Sequence, residues 1–175
     1  MVQAIFLWIY RMDIPAVLIL AAAASALFIC LFRQPALKYP RPVAGAFLLA
    51  WLVFALRLTV LDRVSGPVPP PVWMPLGSYA EAFRQGGQRE MLRSNLMNIL
   101  LFYPAGLLSG VLPRKCSVSR LLGLSVLWTS FSLVIELLQY RFSLGLVQTD
   151  DVLHNALGAF AGAAVMLLAR RNRTT

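Results

Sequence analysis

Residues 131–158 read FSLVIELLQYRFSLGLVQTDDVLHNALG, and this stretch decides the fold. Both of its ends merge into apolar runs that are long enough to cross a membrane. The stretch also carries a concentrated set of polar side chains: Glu136, Gln139, Asp150, Asp151, His154 and Asn155. A carboxylate at membrane depth costs roughly 3 kcal/mol or more, so such groups face a protein interior or a water-filled cavity. We therefore expect two neighbouring membrane helices that share a polar site.

The composition of the whole chain agrees with a membrane protein. Of its 175 residues, 59% are hydrophobic and only 13% are charged, whereas soluble domains carry about 25% charged residues. The net charge of +9 comes from short basic clusters between apolar runs, which is the pattern of cytoplasmic membrane loops and not of nucleic-acid binding. The composition predicts an all-α, polytopic bundle of membrane helices.

The apolar runs predict about five transmembrane helices. Four of them are long and uninterrupted, and a shorter run contains Pro104 and predicts a kinked span. The five predicted spans are residues 14–32, 43–61, 96–112, 121–140 and 151–169. We divide the chain into residues 1–42, an interfacial segment followed by the first span, and residues 43–175, the main transmembrane domain.

Basic clusters at residues 33–41, 114–120 and 170–173 fall on one side of a five-span bundle. The positive-inside rule makes that side cytoplasmic, which predicts N-out, C-in topology. Polar groups from four spans then meet in the outer third of the membrane. They are Arg57, Asn98, Glu136, Gln139, Asp150, Asp151, His154 and Asn155.

Helical spacing places these groups on defined faces. The fourth span carries one polar stripe, formed by Thr129, Ser132, Glu136 and Gln139. The fifth carries a stripe that turns from polar to small, formed by Asp151, Asn155, Gly158 and Gly162. Gly158 and Gly162, like Gly106 and Gly110, have the four-residue spacing that lets two helices approach closely.

Structural roles compete with functional ones at several positions. Asp150 and Asp151 could simply cap a helix start, and Asn155 could hydrogen-bond two helices together. Arg57 could extend to the outer headgroups, and His154 fits a boundary residue better than a ligand. Glu136 is the hardest to explain by packing, because a glutamate within a span needs a partner.

Three blocks of the chain resemble the VanZ-like family, which is named for a protein linked to teicoplanin resistance. Residues 98–106 (NILLFYPAG), 136–139 (ELLQ) and 150–158 (DDVLHNALG) each match a motif of that family. The family often has Gly-Arg and then Asp shortly before the paired aspartates, whereas residues 144–149 here read LGLVQT. The resemblance implies a multi-pass protein of the cell membrane, with residues 43–175 as the VanZ-like domain and the motif residues lining one site.

Several functions fit these residues. The one we favour is a binding module for an envelope lipid, a cell-wall precursor or a glycopeptide antibiotic, which would lower antibiotic susceptibility. The alternative is a membrane-embedded enzyme acting on a lipid-linked envelope substrate, with Glu136 and Asp151 as acid–base candidates. Mg²⁺ is the one cofactor that the residues would suit, through oxygens of Asp150, Asp151 and Asn155.

Two further readings stay open. The carboxylates could relay protons or line a transport path, with a homodimer through the glycine stripes enlarging a small chain. The protein could also be a membrane scaffold without a ligand.

Overall fold

The computed structural model describes residues 14–33, 40–113 and 117–171 and contains six α-helices. They are α1 (Ile14–Arg33), α2 (Pro40–Leu56), α3 (Gly77–Gln85), α4 (Gln88–Ser109), α5 (Val118–Phe142) and α6 (Thr149–Arg171). A π-helical turn, Arg57–Leu61, continues α2. In these ranges the chain forms no β-strand, only an isolated parallel bridge between Val72 and Gln148. The predicted interfacial segment at residues 1–10 lies outside the described residues.

Within the described residues, four helices are long and apolar enough to cross a membrane: Ile14–Phe32, Pro40–Leu61, Val118–Phe142 and Thr149–Arg170. They coincide with four of the five predicted spans, and the predicted all-α membrane bundle is confirmed. The orientation of the bundle in the membrane remains a prediction, because helix positions alone do not distinguish the two sides.

The fifth predicted span, residues 96–112, lies in α4, whose 22 residues reach about 33 Å. Its polar first turns, with Arg89, Glu90 and Arg93, lower its average hydropathy. Helix α4 runs parallel to α6 and stays beside it, from Asn98 next to Asp151 to Gly110 next to Arg170. A helix buried among its neighbours can carry more polar residues than one that faces lipid. Helix α4 therefore accompanies α6 through the bundle.

Glycines form the contact between α4 and α6. A Cβ atom built on Gly158 would overlap the carbonyl oxygen of Ile99, and one built on Gly162 would overlap that of Tyr103. From the other helix, a Cβ atom on Gly106 would overlap the carbonyl oxygen of Ala159. Both glycine stripes are thus used within one chain. A homodimer remains a prediction, and it would need a surface other than these glycine contacts.

Pro104 lies inside α4, where its ring nitrogen donates no hydrogen bond to the preceding turn. The indole Nε1 of Trp51, on α2, donates to the nearby carbonyl oxygen of Leu101 at 2.9 Å. This bond satisfies a backbone oxygen beside the proline and joins α2 to α4. Membrane helices tolerate proline where neighbouring groups take up backbone atoms in this way.

Candidate functional site

Two connecting segments cover the end of the bundle where α5 ends and α6 begins. The backbone N–H of Val72 donates to the carbonyl oxygen of Val147 at 2.9 Å, and that of Thr149 donates to Val72 at 3.1 Å. The N–H of Gly66 also donates to Ser143 at 3.1 Å. We call residues 62–76 and 143–148 together the cover. These bonds hold the cover over the polar side chains that the sequence singles out.

Asp150 fastens the cover to α6. Its carboxylate accepts hydrogen bonds from the backbone N–H of Leu76 and from both the N–H and the hydroxyl of Ser78. Leu76 precedes α3 with a left-handed backbone, φ 60°, so the carboxylate caps α3 from a distant part of the chain. Asp150 is only 1% exposed. These bonds give Asp150 a structural role in the described residues, and its part in binding a ligand stays a prediction.

His154 is also held by internal bonds. Its Nδ1 lies 2.6 Å from the carbonyl oxygen of Asp150, which can only accept, so Nδ1 carries a proton and donates. In the neutral ring, Nε2 then accepts from the hydroxyl of Tyr79, on α3, at 2.8 Å. The histidine thus links α6 to α3, which agrees with a boundary role.

Glu136 and Asp151 form a charged cluster with Arg63. Glu136 is 5% exposed and accepts one long bond, 3.4 Å, from the N–H of Gln148 in the cover. Oδ1 of Asp151 accepts from Nδ2 of Asn98, on α4, at 2.6 Å. The two carboxylates lie close enough to interact electrostatically, and the guanidinium of Arg63 interacts with both. Two acidic side chains therefore share one arginine at this site.

Arg63 is the member of this charged cluster that the sequence analysis did not single out. Its guanidinium donates to the carbonyl oxygens of Leu58 and Leu144, at 3.3 Å each. A Cβ atom on Gly145, whose φ is +151°, would press against Nη1 of Arg63. Arg63 thus lies against residues 144–149, the stretch that lacks the arginine typical of the resembled family. The missing motif arginine was the available signal in the sequence that an arginine from elsewhere in the chain could lie against this stretch.

Arg57, the arginine that the sequence favoured, has a different partner. It forms an ion pair with Asp62 at 3.0 Å and its side chain is 53% exposed. The structure thus does not group it with the two carboxylates. The π-helical turn that follows Arg57 separates the two arginines along the chain and brings Arg63 to the cover.

Gln139 holds the π-helical turn. Its Nε2 donates to the carbonyl oxygen of Thr59 at 2.9 Å, and the hydroxyl of Thr59 donates to Ala55 at 2.8 Å. A π-helical turn shifts backbone bonds and leaves carbonyl groups available to side chains. Gln139 therefore positions the segment that leads to Arg63, and its own amide is used in doing so.

Asn155 lies one helical turn deeper than Asp151. Its Nδ2 donates to the hydroxyl oxygen of Ser132 at 2.8 Å, and Ser132 lies one turn deeper than Glu136 on α5. Asn155 is 5% exposed, yet its Oδ1 has no hydrogen-bond partner among the described residues. Buried polar atoms are usually satisfied, so this oxygen calls for an explanation.

The expected magnesium site has few ligands. In the ranges 14–33, 40–113 and 117–171, no three His, Cys, Asp or Glu side chains group closely enough to hold a metal ion. The oxygens of Asp150 are already bonded to α3 and the cover. Asp151 and Asn155 remain, and because Mg²⁺ is usually held by one or two carboxylates together with several waters, the magnesium site stays a prediction.

Comparison with known proteins agrees with the blocks seen in the sequence. No curated protein and no solved structure is significantly similar to this chain. A model of the VanZ/LLP1 family matches residues 43–170, which include every residue of the charged cluster and both glycine stripes. The chain therefore belongs to the VanZ/LLP1 family.

Proposed function

We propose that this protein is a membrane binding module whose charged cluster holds a polar group of an envelope lipid, a cell-wall precursor or a glycopeptide antibiotic. By holding that ligand at the outer face of the cell membrane, the protein lowers susceptibility to lipophilic glycopeptides such as teicoplanin. One observation carries the proposal: Glu136 and Asp151 are brought together in the protein interior, and Arg63 is the one cation among the described residues that interacts with both.

The distribution of hydrogen bonds supports binding at this place. Three polar side chains are bonded to α3, the cover or the π-helical turn: Asp150, His154 and Gln139. Glu136 and Asp151 keep acceptor capacity, because each accepts a single bond among those found in the described part of the chain. A carboxylate with spare acceptor capacity suits recognition of a ligand that donates hydrogen bonds.

Charge-removing substitutions test the proposal. Glu136→Gln and Asp151→Asn keep the shape of each side chain but remove its charge. In a susceptible host that expresses the protein, each should restore the minimum inhibitory concentration of teicoplanin to that of cells without it, at unchanged membrane levels. Glu90→Gln, at an exposed residue of α4 outside the cluster and the cover, is the matched control and should keep the protection. Full protection by both cluster variants would show that the carboxylates are structural.

An enzymatic function is the second candidate, and the closeness of two buried carboxylates is the observation that favours it. Such a pair would suit general acid–base chemistry on a lipid-linked envelope substrate. To separate the two functions, lipids and precursors are extracted from cells that express the wild-type protein or Glu136→Gln. The two extracts are then compared by mass spectrometry. Catalysis requires a new species that appears only with the wild-type protein; binding leaves the two profiles equal.

The proposal also needs the cluster to lie on the outer side of the membrane. In a protein without Cys30 and Cys116, single substitutions Ser65→Cys and Ser119→Cys place a thiol on exposed residues at opposite ends of α4 and α5. Intact cells treated with an impermeant thiol reagent should label Ser65→Cys only. Labelling of Ser119→Cys alone would reverse the orientation and place the cluster on the cytoplasmic side.

A further inference from the structure

We propose that Glu136, Asp151 and Asn155, here called the acceptor cluster, bind a primary ammonium group presented at the membrane surface. The proposal rests on the binding function above and names the chemical class of its ligand. The acceptor cluster lies where α5 and α6 meet, beneath the cover.

The charge at the acceptor cluster calls for one more cation. Two buried acidic groups as close as Glu136 and Asp151 ionise together only where cations balance them, and Asp150 adds a negative charge next to Asp151 that its three internal donors offset. Arg63 brings one positive charge, and it already donates to the carbonyl oxygens of Leu58 and Leu144. An ammonium group would balance the second carboxylate, since an opposite charge offsets the cost of burial.

An independent observation points to a hydrogen-bond donor at the same place. Oδ1 of Asn155 is buried without a partner in the described ranges, and it lies one helical turn below the two carboxylates. Because a buried acceptor is normally satisfied, a donor that enters between Glu136 and Asp151 would complete it. The charge imbalance concerns ionisable groups, so it would not by itself predict that a neutral amide oxygen lacks a partner.

The number of acceptors fits a primary ammonium group. Such a group has three N–H donors on one nitrogen. Glu136 accepts only a long 3.4 Å bond, Asp151 uses Oδ1 for Asn98, and Asn155 offers Oδ1. These residues thus supply one acceptor for each donor. A quaternary ammonium group has the charge but no N–H donor for these acceptors.

The depth of the acceptor cluster suits a group from the headgroup region. Glu136 lies six residues before the end of α5, or about 9 Å along the helix, and Asp151 lies in the first turn of α6. Asp151 and Asn98 are half-buried, whereas Glu136 and Asn155 are buried. An ammonium group would therefore meet Asp151 first. Its source is either an aminolipid headgroup or the free amine of a soluble envelope precursor or antibiotic.

The test compares headgroups that differ only in their N–H donors. The purified full-length protein in detergent is titrated with dihexanoyl phosphatidylethanolamine, its N-methylated forms and dihexanoyl phosphatidylcholine. Binding is measured as the rise in unfolding temperature. We expect phosphatidylethanolamine to bind roughly tenfold or more tightly than phosphatidylcholine, with affinity falling at each methylation. Equal affinity for the two lipids, or no binding of phosphatidylethanolamine, would overturn the proposal.

Phosphoethanolamine, which has the ammonium group but no acyl chains, separates the two sources. If it binds as tightly as the lipid, the ligand is a free amine; if it binds far more weakly, the ligand is an aminolipid. Glu136→Gln and Asp151→Asn should abolish the preference for phosphatidylethanolamine, and Glu90→Gln should retain it. The headgroup series uses only wild-type protein, so its result does not depend on whether the variants fold.

The outcomes also separate this proposal from the proposed function. If wild-type protein shows no headgroup preference but the charge-removing variants lose protection against teicoplanin, the ammonium ligand is excluded and the binding function stands. If the preference is present and those variants keep full protection, the site binds ammonium but does not act in resistance.

Discussion

The two ends of the α4–α6 pair differ in how the partners of their charged side chains are supplied. At one end, Nη1 of Arg170 donates to the carbonyl oxygens of Gly110 and Val111, at 2.9 and 3.0 Å, where α4 ends. A cation at a helix C-terminus is favourable and completes backbone groups that lack partners. At the other end, Glu136 and Asp151 share Arg63, and Asn155 keeps an unused oxygen. At the first end the arginine and the backbone carbonyl groups bond to one another, whereas at the second end a buried oxygen lacks a partner among the described residues. We call them the complete end and the incomplete end.

This difference separates polar groups that build the fold from those that would serve a ligand. Asp150 and Asp151 are neighbours in sequence, yet Asp150 has three internal donors and Asp151 has one. A buried polar group that is fully bonded stabilises one structure. A buried polar group with too few hydrogen bonds has an unfavourable burial free energy, which a ligand can offset by bonding to it. Substitutions at the complete positions should therefore affect folding, and substitutions at the incomplete ones should affect binding.

Gly158→Leu tests the contact that joins the two ends and should have the largest effect. A side chain here would displace the backbone of Ile99, and backbone cannot move aside as a flexible side chain can. We expect most of the folded protein to be lost from the membrane, measured by detergent-resistant fluorescence of a tagged protein. Gly123→Leu is the matched control, because a Cβ atom at Gly123 meets nothing within 4 Å. Equal levels of the two variants would contradict the close α4–α6 contact.

Asp150→Asn and Asp151→Asn compare the two neighbouring aspartates. An amide at position 150 would turn an N–H₂ group toward the donors of Leu76 or Ser78, so we expect a loss of roughly 1–3 kcal/mol of stability. Asp151→Asn removes one of two close negative charges and should leave stability near that of wild-type. Chemical unfolding of the purified proteins measures both. A larger loss for Asp151→Asn would reverse the roles assigned to the two residues.

Arg63→Gln tests whether this arginine balances the cluster. Its removal leaves two nearby carboxylates without their cation, whereas Arg57→Gln breaks only an exposed pair worth at most about 1 kcal/mol. We expect Arg63→Gln to destabilise the protein more than Arg57→Gln. Adding Glu136→Gln to Arg63→Gln should recover part of the loss, because it removes the excess negative charge. Simple additivity of the two substitutions would argue that Arg63 and Glu136 do not interact.

The contrast between the ends also explains what the sequence could predict. Apolar length predicted the membrane bundle, and the four-residue spacing of Gly158 and Gly162 indicated a close helix contact, because both depend on local periodicity. The role of Asp150 could not be predicted in this way, since its partners, Leu76 and Ser78, lie more than 70 residues earlier. The same holds for Arg63, which reaches the cluster through a π-helical turn and two loops whose paths follow from tertiary contacts.

Arg170→Gln should have the smallest effect and tests the complete end. The substitution removes two charge-assisted hydrogen bonds to the carbonyl groups of Gly110 and Val111, just after the end of α4, so we expect a loss of roughly 1 kcal/mol. Arg120→Gln, on an exposed residue near the same end, is the control and should be neutral. Protection against teicoplanin should stay unchanged in both, at equal membrane levels. If Arg170→Gln abolished protection while the protein stayed folded, the complete end would itself take part in function, and the division between the two ends would fail.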